Sequence, residues 1–465
     1  MFAQHRCICC KITLMQIHKL PDCTDVSRLY QSLRHLPWAF WLDSGNGEHL
    51  GYGGRYHLLV ADPRIRILSQ DGVTWLHYRD GRVEKSREAV LDVIREAMGP
   101  EQASSGKLPF SGGAVGYFSY DFGLRLEGLP VASGGFPEVA VGIFDWAIIV
   151  DEQQHNCWLT GKPGTIPDEL SALICRKGGR SAVPPGRTMA GRPVYETSRQ
   201  QYARAFERIQ HYLHEGDCYQ VNYAQRFSVP FTGDSWPLYL AMRAANPSPY
   251  GAYLHFPFAQ ILSSSPEQFL AVRKGMVTTR PIKGTRPRSE DPLQDQRLAE
   301  ELENSEKDRA ENLMIVDLLR NDLGRVCVPG SIAVPELFKV ESYPTVHHLV
   351  STVTGMLAEG EDALSLLAAC FPGGSITGAP KYRAMEIIQE LEAHPRQIYC
   401  GSVVRIGFDG NMDSNIAIRT LQIHNGSASY HAGGGIVADS KLDEEYQESL
   451  DKAAAFFRLF NSPRT

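Results

Sequence analysis

The sequence predicts an α+β protein, because its strand-like and helix-like segments come in runs rather than in strict alternation. A length of 465 residues exceeds what one compact core usually organises. A stretch rich in Gly, Pro, Lys and Arg, residues 161–195, separates two such runs. We therefore expect two intimately packed units, residues 24–160 and 196–460, joined by this connecting segment and preceded by a poorly ordered leader at 1–23.

The first unit is predicted to contain one helix followed by strands. Apolar, β-branched and aromatic runs favour the strands, and the glycines and aromatic residues of the third strand are typical of a kinked strand. A further short helix is expected inside the connecting segment, around Glu169–Cys175. In order, the elements of the unit are a helix at Val26–Leu36 and strands at Trp38–Leu42, Tyr56–Val60, Gly112–Tyr120 and Val139–Val150.

The second unit opens with a helix at Ser198–Glu215, whose apolar residues recur at helical spacing and which ends at Gly216. Strands and helices then alternate irregularly. The predicted strands are Tyr219–Phe227, Gln260–Ser264, Phe269–Val272, Gly401–Phe408, Ile416–Ile423 and Ala428–Ala432. The predicted helices are Glu300–Leu319, Leu364–Cys370, Tyr382–Leu391 and Glu444–Phe460.

Charge and hydropathy exclude several classes of protein. A net charge of −6 and a pI near 6.2 argue against a nucleic-acid or acidic-membrane surface, and no apolar run is long enough to cross a bilayer. Lys11 interrupts the apolar N-terminus, so a signal peptide is not expected, and Met15 is an alternative start. We therefore expect a cytoplasmic protein with no nucleic acid and no membrane among its partners.

The N-terminal cysteines Cys7, Cys9 and Cys10 form the one cluster of cysteines in the chain. No second Cys or His pair follows at the spacing of zinc ligands. Reduced thiols in the leader are therefore the preferred interpretation.

Lys283 is the first candidate for chemistry. It lies between the apolar Ile282 and Gly284, in a predicted loop stiffened by Pro281. An amine that is removed from water loses its proton more easily and becomes a nucleophile or a base. Glu267 follows an unusual run of serines sixteen positions earlier. The alternative interpretation is a solvated loop lysine.

Carboxylates on two predicted helices form a second candidate group. Glu311 shares a helical face with apolar residues, which is costly unless the carboxylate is paired or binds a cation. Glu445 and Glu448 lie three residues apart near the C-terminus. Hard oxygen ligands from two helices would suit Mg²⁺. An exposed acidic face is the alternative for Glu445 and Glu448.

Two glycine-rich stretches, residues 371–381 and 432–440, are predicted to be turns that precede helices. Free backbone N–H groups at such places can hold a carboxylate. Neither stretch fits a Walker A motif or the dinucleotide fingerprint. Together with Arg419 and His348 they would form an anion-binding cavity, whereas each alone could be a structural turn.

In these motifs the chain resembles the chorismate-utilising enzymes, and most closely the aminodeoxychorismate synthase component I group. The resemblance implies a fold of large, mainly antiparallel sheets flanked by helices. It covers the second unit almost end to end, and the first more loosely through residues 35–39 and 112–123. The motifs that carry it are residues 216–222, 281–285, 308–322, 344–349, 373–380, 416–420 and 432–440.

Two positions distinguish the members of this family. Anthranilate synthases carry alanine where this chain has Lys283, and in the aminodeoxychorismate synthase group that lysine attacks carbon 2 of chorismate. Isochorismate and salicylate synthases place a water-activating lysine at the position of Gln220. Lysine at the first position and glutamine at the second favour the aminodeoxychorismate synthase group.

The resemblance also implies roles for individual residues. Glu267 would be the general acid that protonates the departing 4-hydroxyl group of chorismate. Glu311 and Glu448 would hold Mg²⁺, with Asp308 and Glu445 supporting them. The residues that would bind and orient chorismate are His348, Ser375, Thr377, Tyr399, Arg419, Gly433, Gly434 and Gly435. Val404 and Arg405 depart from a Gly-Tyr pair that is common in the family.

The chain contains no Gly-x-Cys-x-Gly motif of a glutamine amidotransferase. The resemblance therefore implies a separate amidotransferase subunit, component II, that supplies ammonia for 4-amino-4-deoxychorismate and hence for para-aminobenzoate and folate. Ser44 marks a possible tryptophan pocket, as in relatives, with Asp43 in place of their usual glutamate. The alternatives are an anthranilate synthase component I and a non-catalytic amidotransferase-binding subunit.

Overall fold

The computed structural model describes residues 16–20, 25–45, 54–102, 106–132, 135–166, 170, 189–343 and 346–461. Within these residues, two large sheets are present and every strand pairing is antiparallel. The predicted α+β fold is thereby confirmed. The cysteine cluster, Met15 and, apart from Leu170, the short helix predicted at Glu169–Cys175 lie outside the described residues.

The first sheet has thirteen strands among the described residues. The Ala39–Asp43 strand pairs with Tyr250–His255, so the sheet joins segments about two hundred residues apart along the chain. In spatial order its strands are Gln16–Leu20, Asn156–Gly161, Trp146–Asp151, Tyr56–Val60, Ala39–Asp43, Tyr250–His255, Ala259–Ser265, Thr420–His424, Ser427–Ile436, Gln220–Thr232 and Met189–Ala190, with Val194–Tyr195 and Gly378–Ala379 also on Gln220–Thr232.

The second sheet has twelve strands among the described residues. It likewise joins both units, because Gly113–Phe118 pairs with Ser402–Gly407. In spatial order its strands are Ile282–Pro287, Val346–Met356, Met276–Arg280, Gln268–Arg273, Met412–Asn415, Ser402–Gly407, Gly113–Phe118, Val139–Phe144, Ile65–Gln70, Val73–Tyr78 and Val83–Ser86, with Ala333–Ser342 also on Val346–Met356.

The two sheets share a buried core, and helices cover their other faces. One apolar cluster combines Phe40 of the first sheet with Tyr117 of the second, both fully or almost fully buried. Two further clusters place helices against the sheets. The helices are Val26–Leu33, Val90–Met98, Tyr120–Leu126, Arg199–Glu215, Trp236–Ala245, Pro292–Glu303, Glu306–Leu323, Ala363–Cys370, Lys381–Leu391 and Leu442–Asn461. Within the described part of the chain, none of them is long and apolar enough to span a membrane.

Two predicted elements are each divided in two in the structure, and a third differs in kind. The apolar run Val139–Val150 is two strands, one in each sheet, because it is buried on both faces and its periodicity cannot show the change of sheet at Asp145. The helix predicted at Glu300–Leu319 is two helices, since Ser305 caps the second through its hydroxyl group. The loop expected around Lys283 is the strand Ile282–Pro287.

Smaller differences concern glycines and element ends. The second glycine-rich stretch, residues 432–440, is predicted to be a turn. Its first part is instead the end of a strand, because Gly433–Gly435 belong to Ser427–Ile436. The strand predicted at Ile416–Ile423 begins at Thr420, after Arg419 with a φ of +49°. Gln16–Leu20 of the predicted leader is an ordered strand. The division of the chain at 161–195 stays a prediction.

Candidate active site

Lys283 lies on a distorted edge strand. The Ile282–Pro287 strand pairs with Val346–Met356, and its register shifts between Lys283 and Thr285. The residue between them, Gly284, has a φ of +78°, and a Cβ atom there would come within 2.8 Å of Asp308 Cγ. Glycine therefore permits both the left-handed backbone and the close approach of the helix that carries Asp308.

The Lys283 amine meets the turn that contains Ser375. Its Nζ donates a hydrogen bond of 3.3 Å to the backbone oxygen of Ser375. Burial lowers the pKa of Lys283, although the carboxylates of Glu311 and Glu267 act in the opposite direction. The lowered pKa increases the share of neutral amine, which is the form that can act as a nucleophile.

Glu267 contacts the same serine. The Ser375 hydroxyl donates to Oε1 of Glu267 at 2.8 Å, and Glu267 is only 5% exposed. Burial raises the pKa of Glu267, against the opposing effects of this hydrogen bond and of Lys283. Ser375 therefore contacts the Lys283 amine through its backbone oxygen and the Glu267 carboxyl group through its hydroxyl group.

Three carboxylates lie near this pair on the two helices that the sequence indicates. Glu445 and Glu448 both cover Gly434, since a Cβ atom at that glycine would lie 3.2 Å from Glu445 Oε2 and 3.1 Å from Glu448 Oε1. Glu311 is half-buried, and its carboxylate makes no hydrogen bond or ion pair within the described residues. Burial raises its pKa, and the charge of Glu448 adds to this rise.

Glu445 and Glu448 differ in their protein partners. Glu445 accepts a hydrogen bond from Ser440 at 2.7 Å, and its burial raises its pKa. At Glu448 burial acts in the same direction, but Lys452, 2.6 Å away, outweighs it and lowers the pKa. Lys452 also donates to the backbone oxygen of Gly433. Sequence reasoning missed Lys452, although its i,i+4 spacing from Glu448 is the signal of a helical ion pair.

These carboxylates fit a hard cation in their chemistry, although the described residues contain no group of three or more His, Cys, Asp or Glu side chains in the arrangement of a complete metal site. Mg²⁺ usually takes one or two protein carboxylates and completes its shell with water and substrate oxygens. An unpaired, half-buried Glu311 beside the Glu448 charge suits that incomplete shell. The carboxylate of Asp308 already has an ion-pair partner, because Arg286 lies 3.2 Å from its Oδ2 atom.

His348 and Arg419 form the other side of the group. His348 is buried and accepts or donates a 2.9 Å hydrogen bond with the Thr285 hydroxyl. Burial, and next the charge of Arg419, lower the pKa of His348 to about 3, so the ring is neutral. The half-buried guanidinium of Arg419 has no hydrogen-bond or ion-pair partner among the described residues, which leaves its fork for an anion.

The remaining predicted residues are mostly engaged with the protein. Thr377 is buried and donates to the backbone oxygen of Gly373 at 3.0 Å. The Tyr399 ring stacks on His431 with centroids 5.1 Å apart. Gly433 and Gly435 face the Gln220–Thr232 strand, which leaves no space for side chains at these positions. Arg405 binds Asp413 at 3.0 Å.

Ser44 lies in a different cluster, outside this group. Its amide nitrogen is 3.2 Å from His57 Nδ1, and its neighbour Asp43 binds Arg243 at 2.6 Å. The structure therefore brings Lys283, Glu267, Ser375, Glu311, Glu445, Glu448, His348 and Arg419 into one region and leaves Ser44 elsewhere.

The chain matches a known enzyme family. The family described as "chorismate binding enzyme" matches residues 38–458, so the chain belongs to that family. Aminodeoxychorismate synthase component 1 of Klebsiella aerogenes is 46% identical over 441 residues, covering 93% of this chain and 96% of that protein. The equivalent protein of Escherichia coli strain K12 is 46% identical over 435 residues, with 92% and 94% coverage.

The fold agrees with solved structures of the family. A crystal structure of anthranilate synthase component I from Streptococcus pneumoniae TIGR4 aligns with a TM-score of 0.76 and 31% identity, covering 87% of this chain and 92% of that one. The predicted fold of large, mainly antiparallel sheets flanked by helices is thereby confirmed.

Proposed function

We propose that this chain is the chorismate-converting subunit of an aminodeoxychorismate synthase. It converts chorismate and ammonia to 4-amino-4-deoxychorismate and water, a step toward para-aminobenzoate and folate. The relatives that bear this name at 46% identity support the proposal over nearly their whole length. The single observation that carries it is Ser375, which contacts both Lys283 and Glu267.

The two contacts of Ser375 suit a displacement in two stages. The neutral amine of Lys283 attacks carbon 2 of chorismate, the ring double bonds shift, and the 4-hydroxyl leaves as water with a proton from Glu267. Ammonia then attacks carbon 4, the double bonds shift back, and the bond from carbon 2 to the Lys283 nitrogen breaks, which regenerates the lysine. The surplus proton of the new ammonium group returns to Glu267. Covalent catalysis of this kind replaces one difficult step by two easier ones.

The environment of each group favours the protonation state that it needs. Burial keeps the pKa of Glu267 above its usual value, so a carboxylic acid is retained closer to neutral pH. The same desolvation lowers the pKa of Lys283. Desolvation therefore shifts the pKa of each group in the direction that the acid and the nucleophile need.

Arg419 and His348 would hold the substrate. The unpartnered guanidinium of Arg419 can bind a chorismate carboxylate with two parallel hydrogen bonds. His348, neutral because of burial and of Arg419, adds no second positive charge and can hydrogen-bond as donor or acceptor. Binding at two points orients the ring so that carbon 2 faces Lys283.

Glu311 and Glu448 would hold Mg²⁺, with Glu445 supporting them. The ion would neutralise a substrate carboxylate and leave it fixed among these acids. Without a cation, Glu311 and Glu448 repel each other and a bound carboxylate. Asp308 would act indirectly, since Arg286 already binds it.

Ammonia would come from a separate glutamine amidotransferase subunit. The "component 1" in the names of the relatives supports a second component. The isolated chain is then expected to use ammonium salts at raised pH and not to use glutamine. Glutamine turnover by the pure single chain would contradict this part of the proposal.

Anthranilate synthase is the second candidate, because component 1 of that enzyme from Bacillus subtilis strain 168 is 45% identical over 441 residues, covering 88% of this chain. Lys283 favours the first candidate, since the family resemblance implies alanine at this position in anthranilate synthases. A non-catalytic role is disfavoured by the unpaired Glu311 and Arg419.

The deciding experiment incubates the purified chain with chorismate, Mg²⁺ and ammonium chloride and identifies the product by mass spectrometry. The expected product retains all the carbon atoms of chorismate and has an amino group in place of one hydroxyl. Formation of anthranilate instead would establish the second candidate. Unchanged chorismate, under conditions where a related enzyme turns over, would reject both.

A further inference from the structure

Arg396 is a buried cation behind the Ser375 turn, and it takes no part in the displacement proposed for Lys283 and Glu267. It is 2% exposed and forms a bidentate pair with Glu392, from Nη2 to Oε1 at 2.7 Å and from Nε to Oε2 at 2.9 Å. Its ring neighbours are Tyr120 and Tyr399, with the guanidinium carbon 4.7 and 5.6 Å from their centroids. A fully buried ion pair adds little stability by itself, so its geometry is the informative feature.

The remaining donors of Arg396 connect two segments of the site. Nη1 donates to the backbone oxygen of Ile376 at 2.9 Å, and Nη2 donates to that of Asn222 at 2.7 Å. Glu392 reinforces the link, because its Oε1 accepts from the amide of Ala224 at 2.9 Å. One guanidinium therefore ties the turn at Gly374–Ile376 to the Gln220–Thr232 strand.

Ser375 lies inside that turn, next to the residue that Arg396 holds. A second hydrogen bond joins the same segments, since the backbone N–H of Asn222 donates to the backbone oxygen of Thr377 at 2.8 Å. The turn itself is a single 3₁₀ turn of three residues, Gly374–Ile376, which is too short to hold its position alone. The position of Ser375 against Lys283 and Glu267 is thus set by bonds from outside the turn, namely those of Arg396 and Asn222 and the pairing of Gly378–Ala379 with Gln220–Thr232.

We propose that Arg396, with Glu392, is a positioning residue for the reaction, which fixes the Ser375 turn so that nucleophile and acid keep their relative placement. Arg396 touches neither Lys283 nor Glu267 and acts through the backbone of Ile376. This inference rests on the proposed function, because it is tested through the turnover of chorismate. It predicts that a small displacement of the turn reduces turnover, because misplacement by about 1 Å can cost on the order of 10²-fold in rate.

Lysine at position 396 keeps the positive charge but lacks the planar fork, so it cannot bind Ile376, Asn222 and Glu392 together. Arg396→Lys is therefore expected to lower kcat with ammonium salt by about 10- to 100-fold. The matched control is Arg34→Lys, which changes a half-buried Arg–Asp pair with Asp234 elsewhere in the chain. The control should alter thermal stability without a comparable loss of kcat.

A double-mutant cycle distinguishes positioning from a general structural effect. If Arg396 acts through Ser375, then Arg396→Lys should lower kcat less in a Ser375→Ala background than in the wild type, by at least about threefold. Strictly multiplicative effects on kcat, or a kcat for Arg396→Lys equal to that of the wild type, would overturn the inference. If Arg396→Lys does not fold, Glu392→Gln enters the cycle in its place, because it removes the charged partner that orients the guanidinium toward Ile376 and Asn222.

The wild-type chain decides the two questions separately. A wild type without ammonia-dependent turnover contradicts the proposed function. A wild type that turns over, combined with multiplicative effects in the cycle, contradicts only the role of Arg396.

Discussion

Two groups of buried charges in this molecule differ in whether the protein itself provides their partners. In the Asp43 cluster, which consists of Asp43, His57, Glu152, Tyr239 and Arg243, every charged side chain has a partner. Asp43 binds Arg243 at 2.6 Å and Tyr239 at 2.8 Å, while His57 lies 2.7 Å from Glu152. Near Lys283, by contrast, Glu311 and Arg419 have no ion-pair partner among the described residues.

The electrostatic consequences follow this difference. Burial would raise the pKa of Asp43, but His57 and Arg243 lower it below its usual value. Burial raises the pKa of Glu311, and Lys283 does not fully offset the rise. An unpaired buried charge is costly, so its persistence indicates a ligand that completes it. Paired charges support the fold, whereas we propose that the unpaired ones bind the substrate and a cation.

The largest expected effect is the loss of the nucleophile. Lys283→Ala should lower ammonia-dependent kcat by about 10²-fold or more, the scale for one group acting in the transition state. Lys283→Arg should be no better, because a guanidinium stays protonated. Steady-state assays with chorismate and ammonium salt measure both variants. Direct attack of ammonia on chorismate would account for residual turnover in the alanine variant.

Trapping tests the covalent step itself. Wild-type chain incubated with chorismate and no ammonia should show an adduct by intact-mass analysis, located on the peptide that contains Lys283. An equal adduct on the Lys283→Ala chain, or a working enzyme that never shows one, would remove the support for a lysine nucleophile.

The second prediction compares one arginine from each group. Arg243→Gln leaves Asp43 short of a partner and should lower the free energy of unfolding by about 2 to 4 kcal/mol. Arg419→Gln should instead raise KM for chorismate by about 10- to 100-fold, the value of a hydrogen bond between charged groups, with little change in stability. Chemical denaturation and steady-state kinetics measure the two effects. A destabilised Arg419→Gln with normal KM would reverse the assignment of the two groups.

The third prediction concerns the acids. Glu311→Gln and Glu448→Gln each remove one negative charge and should raise the Mg²⁺ concentration for half-maximal activity by about tenfold or more. Glu152→Gln, from the Asp43 cluster, is the matched control and should leave the Mg²⁺ titration unchanged. Identical titration curves for all three variants would reject Glu311 and Glu448 as ligands.

The smallest effect is a pH dependence of stability. Burial would lower the pKa of His57, but Asp43 and Glu152 raise it above its usual value of 6.5. A raised pKa means that the protonated ring contributes its stability fully below pH 6.5 and loses it as the pH rises through the folded-state value. Unfolding free energies from pH 5.5 to 8.5 should show this loss in the wild type and less of it in His57→Gln. The same slope in both proteins would place the titration elsewhere.

The residues near Lys283 could be identified from sequence because they lie in contiguous motifs with distinctive composition. Glu267 and Lys283 are indicated by their local context and Ser375 by the family resemblance, and in the structure Ser375 contacts both of the others. Partners from distant segments left no such local signal. Arg396 and its bonds to Ile376 and Asn222 depend on packing between an interior strand and a turn, which no periodicity reveals.

The fold class was predictable and several element boundaries were not. Runs of strands and helices indicate α+β, whereas Val139–Val150 is apolar throughout and hides the point where the chain leaves one sheet for the other. Lys283 was expected in a loop because proline and glycine flank it. The strand forms nevertheless, since tertiary pairing with Val346–Met356 outweighs local propensity.

The pairing of Ala39–Asp43 with Tyr250–His255 has a consequence for how the chain acquires its structure. During synthesis, the early strand is complete long before its neighbour has been made, and its hydrogen-bonding edge stays open. Contacts between such distant segments give a high contact order, which slows folding and lengthens the time in which an unpaired edge can aggregate. A fragment ending near residue 160 would keep that open edge permanently. The two halves should therefore yield soluble protein when produced together and little when produced apart.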